Sequence, residues 1–542
     1  MTGDGRKRSD WNIYLLENVV APAYGRLLEK VALEIGPCNL FFSLWPTTLG
    51  LEPWASVVRK LYQFVAEFDL RLLYTEARGG QWISTKYAIF PDFTFPKAAE
   101  LIKALSGASL PVITLPQSLL EKFMEICPSL HFLKPKLLRT LLIKRKREFK
   151  DRDAMILTLE YCLHDIQESM QFDTLIGLPL LPLADGSFTL VDMKGVGERV
   201  YIARGDEYGL LKDSIPHQLV INVIPEEVHR KLCYIAQADS TNISFLSCQL
   251  LEKLLVKLLP VEWQHASQVS WTPGIHGQPS LEWLQLLWNY LKAYCEDLLI
   301  FSKWPILPVG DDRLMQLTPN SNVIKNDGWS EKMSSLLLKV GCLFLRQDLQ
   351  LDHPELECFV QSPTARGVLN VFLAIAGEPQ KIEGIFTHVS EGELHELRSY
   401  ILQSKWFSEE QIDSTHIEII KHLPIFESYQ SRKLVNLIDP IKWLGPTGVR
   451  EVLLSDSFIR TESEMEGVIL RRYLGIKEPT QMEFFKDHIF NHMSEFLLNQ
   501  EVVSSILNDV QHLIKEDISL KSSLSAVPFV LAANGSWQKP SR

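Results

Sequence analysis

One phrase recurs four times along this chain, and it limits what the chain can fold into. A Pro-led apolar run, a tight turn and a second short strand stand at 178–190 (LPLLPLADGSFTL), 304–317 (WPILPVGDDRLMQL), 423–437 (LPIFESYQSRKLVNL) and 527–537 (VPFVLAANGSW). Recurrence at roughly a hundred residues indicates a modular array, and arrays of this kind mostly present surfaces for binding. Ala184-Asp185-Gly186 and Asn534-Gly535 supply the positive-φ position of a tight hairpin turn, and Gly310-Asp311-Asp312 forms a plausible third. No glycine stands between Glu427 and Ser431, so a longer loop or a different pairing is expected in the third phrase. A fifth hairpin, without the leading Pro, is read at 72–90, turning at Gly79-Gly80. The Pro belongs at a strand start or edge, where its missing N–H is harmless.

Between the hairpins helices dominate. Residues 499–515 place Val502, Val503, Ile506, Leu507, Val510, Leu513 and Ile514 on one stripe of a 3.6-residue period, and Leu281, Leu284, Trp288 and Leu291 repeat the pattern after Ser280. Capping boxes are read at Ser118 with Glu121, Ser390 with Glu393, Ser408 with Gln411 and Thr480 with Glu483. The expected fold class is α+β and helix-rich: a degenerate array of helical modules, each with a short antiparallel β-hairpin. The modules are placed at 1–97, 98–200 (hairpin 178–191), 201–320 (hairpin 304–317), 321–440 (hairpin 423–437) and 441–542 (truncated hairpin 527–538), with loop-like seams at 93–98, 193–216, 264–279 and 318–328.

Composition narrows the functional classes. A length of 542 residues exceeds one hydrophobic core, and 46% hydrophobic with 22% charged residues is ordinary for a folded soluble chain. The net charge of −11 argues against general nucleic-acid affinity, and no apolar stretch reaches the length of a membrane span. The first ten residues carry no apolar core of a secretory signal. Cys38, Cys127, Cys162, Cys233, Cys248, Cys295, Cys342 and Cys358 are dispersed without a C-x-x-C pair, so they read as small buried hydrophobes in a reducing compartment rather than zinc ligands.

No local catalytic motif stands out. Gly195-Val196-Gly197 lacks the third glycine of a dinucleotide loop, and there is no phosphate-binding loop, H-E-x-x-H or G-x-S-x-G. His488 and His492 sit four apart on an expected helix, but no third metal ligand follows at fixed spacing. His353-Pro354-Glu355 differs from the His-Pro-Asp of J domains in its third residue, so Pro354 reads as the first turn of a helix. No catalytic, cofactor-binding or metal residue is assigned, and no cofactor is expected. The alternative is an enzyme, a hydrolase with a dispersed site in which His164, His388 or His422 meets a carboxylate and a nucleophile.

The one basic block, 134–152, holds nine Lys or Arg against Glu148 and Asp151 over an apolar stripe of Leu137, Leu138, Leu141 and Leu142. An amphipathic helix is expected. Lys134, Lys136, Arg139, Lys144, Arg145, Lys146 and Arg147 are the candidate docking residues for an acidic partner. Trp11, Tyr14, Tyr24, Trp45 and Trp54 are scattered over the first section, as core or as a peptide groove.

Taken in order, several phrases resemble the sacsin family. They are 10–28 (DWNIYLLENVVAPAYGRLL), Leu44-Trp45-Pro46, 73–82 (LYTEARGGQW), 178–188, Tyr473-Leu474-Gly475 and 527–541. The resemblance implies a cytoplasmic scaffold or co-chaperone in protein quality control, partnered by Hsp70-type chaperones or client proteins. It also implies an upstream Hsp90-like ATPase module in the full-length protein. The acidic-Asn box and D-x-G-x-G motif of that ATPase do not occur, and no ubiquitin-like domain, J domain or RING-type cysteine set is recognisable. The chain therefore reads as a fragment or short form of one repeat region, and no family catalytic residue transfers onto it.

Overall fold

The computed structural model describes residues 3–145, 148–167, 172–310, 312–408, 412–497, 499–515, 518–533 and 535–540, with the side chains of 3–8 and 518–519 excepted. The chain divides into two compact units, Met1–Leu254 and Leu255–Arg542. Each is helix-rich, with small sheets of few strands. Expected helices form where the period places them. Gln500–Leu513 buries Val503, Ile506 and Val510, and Leu281–Tyr294 starts at Ser280, whose hydroxyl accepts from the Trp283 amide. The capping boxes at Ser390/Glu393 and Thr480/Glu483 are present. The one read at Ser118 is not. Pro116, at ψ 148°, starts that helix two residues earlier, and its carbonyl takes the Leu119 and Leu120 amides. Gln411 lies outside the described residues, and Asp413 caps the next helix instead.

All five expected hairpin segments pair antiparallel: Leu73–Thr75 with Gln81–Ile83, Leu181–Pro182 with Phe188–Thr189, Pro305–Val309 with Arg313–Gln316, Phe426–Glu427 with Leu434–Val435, and Val530–Leu531 with Trp537–Gln538. Gly186 at φ 89° and Gly310 at φ 51° occupy their turns. In the third phrase Arg432, at φ 58°, takes the left-handed position, and Asp456 fastens the longer loop by accepting from the Gln430 and Ser431 amides. Asp311 and Asn534 lie outside the described residues.

Four of the hairpins recruit three later segments in one spatial order: second arm, first arm, fourth segment, third, fifth. In the first set Thr114 and Ile113 pair antiparallel with Tyr74 and Thr75, Ile89 runs parallel to Val112, and Phe90 parallel to Phe132. In the second, Val220 lies antiparallel to Leu183, Leu219 parallel to Tyr201, and Val200–Ile202 parallel to Ile243–Phe245. The third has Leu345 antiparallel to Val309, Val323–Ile324 parallel to Leu343–Phe344, and Ile324 parallel to Gln361. The fourth has Ile459 antiparallel to Ser428, Trp443–Leu444 parallel to Phe458–Ile459, and the Leu444 amide bonded to the Lys477 carbonyl at 3.0 Å. Parallel neighbours need a crossover, supplied by helices such as Ala98–Gly107, Glu207–Leu211 and Glu331–Val340. The stretches 193–216, 264–279 and 318–328, read as loop-like seams, therefore carry the strands Val200–Ile202, Gln268–Ser270 and Val323–Ile324.

Among the described residues, apolar cores of the first unit gather Leu28, Trp45, Tyr62, Ile113 and Phe123, and separately Leu105, Leu138, Tyr161, Leu180 and Ile243. In the second unit such cores form around Leu337, Phe372, Ile420 and Leu470, and around Phe458, Phe484 and Ile506. Six of the cysteines are free thiols, but Cys248 and Cys295 are disulfide-bonded, which corrects the expectation of eight reduced residues. Sequence spacing carries no information about approach in space, which is what a disulfide requires.

Glu393 makes one prediction about acid stability. Its carboxylate accepts from the Lys339 ammonium at 2.6 Å, from Ser335 Oγ at 2.6 Å and from the Ser390 amide at 2.8 Å. These donors hold its pKa down at about 2, against an ordinary 4.5. A depressed carboxylate contributes stability that is complete above its unfolded value and is lost as pH falls through the folded value. Circular dichroism on acid titration is expected to show Glu393→Gln with a shallower loss of stability than the parent between pH 4.5 and about 2. Equal slopes in that window would refute the assignment.

Candidate functional site

The basic block does not form one helix. Its helical part is Pro135–Lys144, Arg145 is extended, and the next helix, Arg152–Cys162, begins at the Asp151 cap. Leu138 and Leu142 face the core, as the stripe requires. Arg139 faces it too. It is 2% exposed, with Nη1 donating to Asp165 Oδ1 at 2.5 Å and to the Cys162 carbonyl at 2.6 Å, and Nη2 donating to Asp165 Oδ2 at 3.1 Å. Arg139 is thus a buried tie between two helices and offers no cation to a partner. Lys134, Lys136, Lys144 and Arg145 are exposed, and Lys146 and Arg147 lie outside the described residues. Beyond Lys150, a groove of about 960 Å³ runs between Ala98–Gly107 and Arg152–Cys162, floored by Ile156, Leu157 and Ile224 and rimmed by charges of both signs.

The N-terminal helices carry several uncovered apolar side chains. Helix Ala21–Ile35 buries Ala21, Gly25, Leu28 and Ala32 on one face. On and ahead of it, Trp11 is 59% exposed, Tyr14 53%, Val19 52% and Leu27 53%. Trp11 and Tyr14 stack, with ring centroids 5.6 Å apart and 14° between planes. Trp54 is exposed too, and a cleft of about 600 Å³ lies between Ile13, Leu16 and Glu17, in the helical segment ahead of Ala21–Ile35, and Glu52, Pro53 and Ser56. The other two singled-out aromatics are structural. Trp45 is buried, and the Tyr24 hydroxyl donates to the Leu44 carbonyl at 2.6 Å. An apolar area rimmed by polar side chains is the usual mark of a contact surface.

The histidines do not converge. His164 and His388 are exposed, and His422 lies 3.7 Å from Glu418. His353 packs inside, sharing a hydrogen bond with the Cys295 carbonyl, and Pro354 starts a short 3₁₀ helix. His488 sits among Trp443, Phe458 and Phe484, where burial pushes its pKa down, whereas His492 is exposed beside Glu495. A π-helical turn over Phe484–Ile489 and a 3₁₀ turn over Phe490–His492 replace the regular α-helix expected here. Among the described residues no group of three His, Cys, Asp or Glu is placed to hold a metal ion, and no helix is long and apolar enough to cross a membrane.

The sequence missed the half-buried cluster around His229. His229 Nε2 meets the Ala203 carbonyl at 3.1 Å, and Nδ1 lies 3.7 Å from Cys233 Sγ. Burial pushes both the Cys233 thiol and the adjacent Glu207 carboxyl up. A thiol with a raised pKa is a poor nucleophile. The i, i+4 spacing of His229 and Cys233 was the available signal.

Over 412 residues the chain is 22% identical to human sacsin, a match that covers 67% of this chain and 8% of sacsin. The chain is thus related, at a distance, to the sacsin family, and the match spans only a small part of that relative's length. No family model and no solved structure matches.

Proposed function

We propose, from its relationship to the sacsin family, that this chain is a non-catalytic interaction module of a chaperone-related scaffold, holding client or chaperone proteins in folding and quality control. The observation that carries this reading is the apolar surface of the N-terminal helices, with Trp11, Tyr14 and Leu27 each more than half exposed. A soluble chain that leaves two stacked aromatics in water presents them to something else. Hsp70-type chaperones and clients are the proposed partners, and an upstream Hsp90-like ATPase module is the proposed neighbour in a full-length protein. The setting proposed is cytoplasmic. The exposed Lys134, Lys136, Lys144 and Arg145 would add attraction for acidic partners. The architecture is proposed to be a degenerate array of α+β modules, supported by the pairing order that four of the hairpins share.

The full chain is expected to slow the aggregation of a heat-unfolded client enzyme, measured by light scattering. The triple variant Trp11→Ser, Tyr14→Ser, Leu27→Ser should lose at least about half of that protection, because contact surfaces concentrate their energy in a few aromatic anchors. Unchanged protection at unchanged helical content would sink the reading. ATP hydrolysis above a heat-killed control would favour the hydrolase alternative.

A further inference from the structure

The groove beyond Lys150 has two unlike ends. Helices Ala98–Gly107 and Arg152–Cys162 run antiparallel along it. At one end Lys97 pairs with Glu160 at 2.8 Å. At the other Lys150 lies across Gly107, where an added Cβ would stand 3.6 Å from Lys150 Cδ. Between them Ile156, Leu157 and Ile224 form an apolar floor, Ala104 and Ala154 leave room above it, and Val223 stands alongside, 75% exposed. A concavity of about 960 Å³ with such a floor and a few charges at its rim has the size and make-up of a binding site. Charges at the Lys97 end cancel by pairing. Further along, Lys103 and Lys150 form no ion pair among the described residues, and neither do Glu100 and Asp153. Asp151 caps the second helix, accepting from the Ala154 amide at 2.7 Å. The rim is thus close to balanced, and a surplus comes from the chain that enters at Lys150. Residues 144–150 hold five cations to one acid, in a protein of net charge −11. Exposed Arg145 is five residues from Lys150, which keeps it within about 18 Å of the groove.

We propose that this groove docks an amphipathic helix of a partner protein, with its apolar stripe on Ile156, Leu157 and Ile224 and its acidic first turn at Lys103 and Lys150. The walls decide for a helix. Mid-helix backbone groups are already bonded within Ala98–Gly107 and Arg152–Cys162, so an extended guest would leave its own amides unpaired between them. A helical guest satisfies its backbone internally and needs only a stripe of anchors at every third and fourth position. The walls are ten and eleven residues long, which gives room for about three guest turns. Charge sets the guest's direction. Acidic side chains are favoured in the first turn of a helix, and the cation surplus lies at the Lys150 end.

The inference deepens the interaction-module reading and rests on it, and its test isolates the groove. The full chain is titrated with a fluorescent model peptide of about fourteen residues, acidic in its first turn and carrying Leu at every third and fourth position. Anisotropy reads binding, and hydrogen exchange locates it. Saturable binding is expected, weakening as salt rises, with slowed exchange in 98–107 and 152–162. A peptide with the same Leu stripe and Lys in place of its acids should bind at least tenfold more weakly. Val223→Asp, at an exposed position that leaves the core untouched, should weaken the acidic peptide at least tenfold, and so should Lys103→Glu with Lys150→Glu. Equal binding of the two peptides, or affinity unchanged in Val223→Asp, would overturn the proposal. So would protection confined to other residues. Decanoate that binds these same residues and displaces the peptide completely would assign the groove to a small anionic amphiphile, and would also overturn it. The triple variant at Trp11, Tyr14 and Leu27 should bind the peptide as the parent does. The interaction-module reading fails instead on that variant's unchanged protection of a heat-unfolded client.

Discussion

Arg398→Ala is expected to destabilise the second unit by about 3–5 kcal/mol, the cost of leaving a buried charge without its partner. Arg398 is 2% exposed in the helix Glu391–Ile401. Its Nη2 donates to Glu466 Oε1 at 2.6 Å and to the Arg460 carbonyl at 2.9 Å, its Nε to the same carboxylate oxygen at 2.9 Å, and its Nη1 lies 3.3 Å from Glu462. Glu466 is itself buried, and its other oxygen accepts from the Glu462 amide at 2.8 Å. One guanidinium thus joins a helix that follows the third sheet to the helix Glu464–Arg472 and the end of the strand Phe458–Ile459. Truncation orphans the Glu466 carboxylate and the Arg460 carbonyl together. Replacing both partners, Arg398→Met with Glu466→Leu, should recover most of the loss, because the desolvation cost disappears with the charges. Urea unfolding followed by circular dichroism reads both effects. Arg398→Ala within about 1 kcal/mol of the parent, the worth of an exposed pair, would show that the network is solvated.

The same region shows what a linear reading reaches. Hairpins were legible because each carries a Gly turn, a Pro-marked start or both, and these are written locally. The later segments that extend each sheet were not. Val323–Ile324, Trp443–Leu444 and Phe458–Ile459 are two-residue strands. Such strands have no alternation to count, and around Val323–Ile324 the polar and glycine residues read as loop. Arg398 lay in an expected helix, but nothing in its neighbours marks it as the buried member of a turn of charged residues. Arg139 failed for the same reason. A basic block suggests a solvated face, and only the fold brings Asp165 beneath one of its members. The apolar N-terminal surface was visible as scattered aromatics, but its division into exposed Trp11 and Tyr14 and buried Trp45 depends on which helix face finds a core.

The second large effect is expected at Trp288. Trp288→Ala should cost about 3–5 kcal/mol, for two reasons that can be separated. The side chain is 1% exposed in the helix Leu281–Tyr294, so its removal leaves a cavity. Its indole Nε1–H also donates to the Ile306 carbonyl at 3.0 Å. The hairpin makes that carbonyl needy. Met315 pairs with Leu307 and Gln316 with Pro305, so a bulge skips Ile306 and leaves it outside the ladder. All five residues of Pro305–Val309 are buried, and water cannot serve instead. Trp288→Phe keeps most of the ring volume and removes the donor, so it should cost about 1–3 kcal/mol, the penalty of one buried unsatisfied carbonyl. Hydrogen exchange at residues 305–309 should quicken in both variants, and more in Trp288→Ala. If Trp288→Phe unfolds in urea at the parent's midpoint with unchanged exchange, the bulge carbonyl has another partner and the helix holds the hairpin by packing alone.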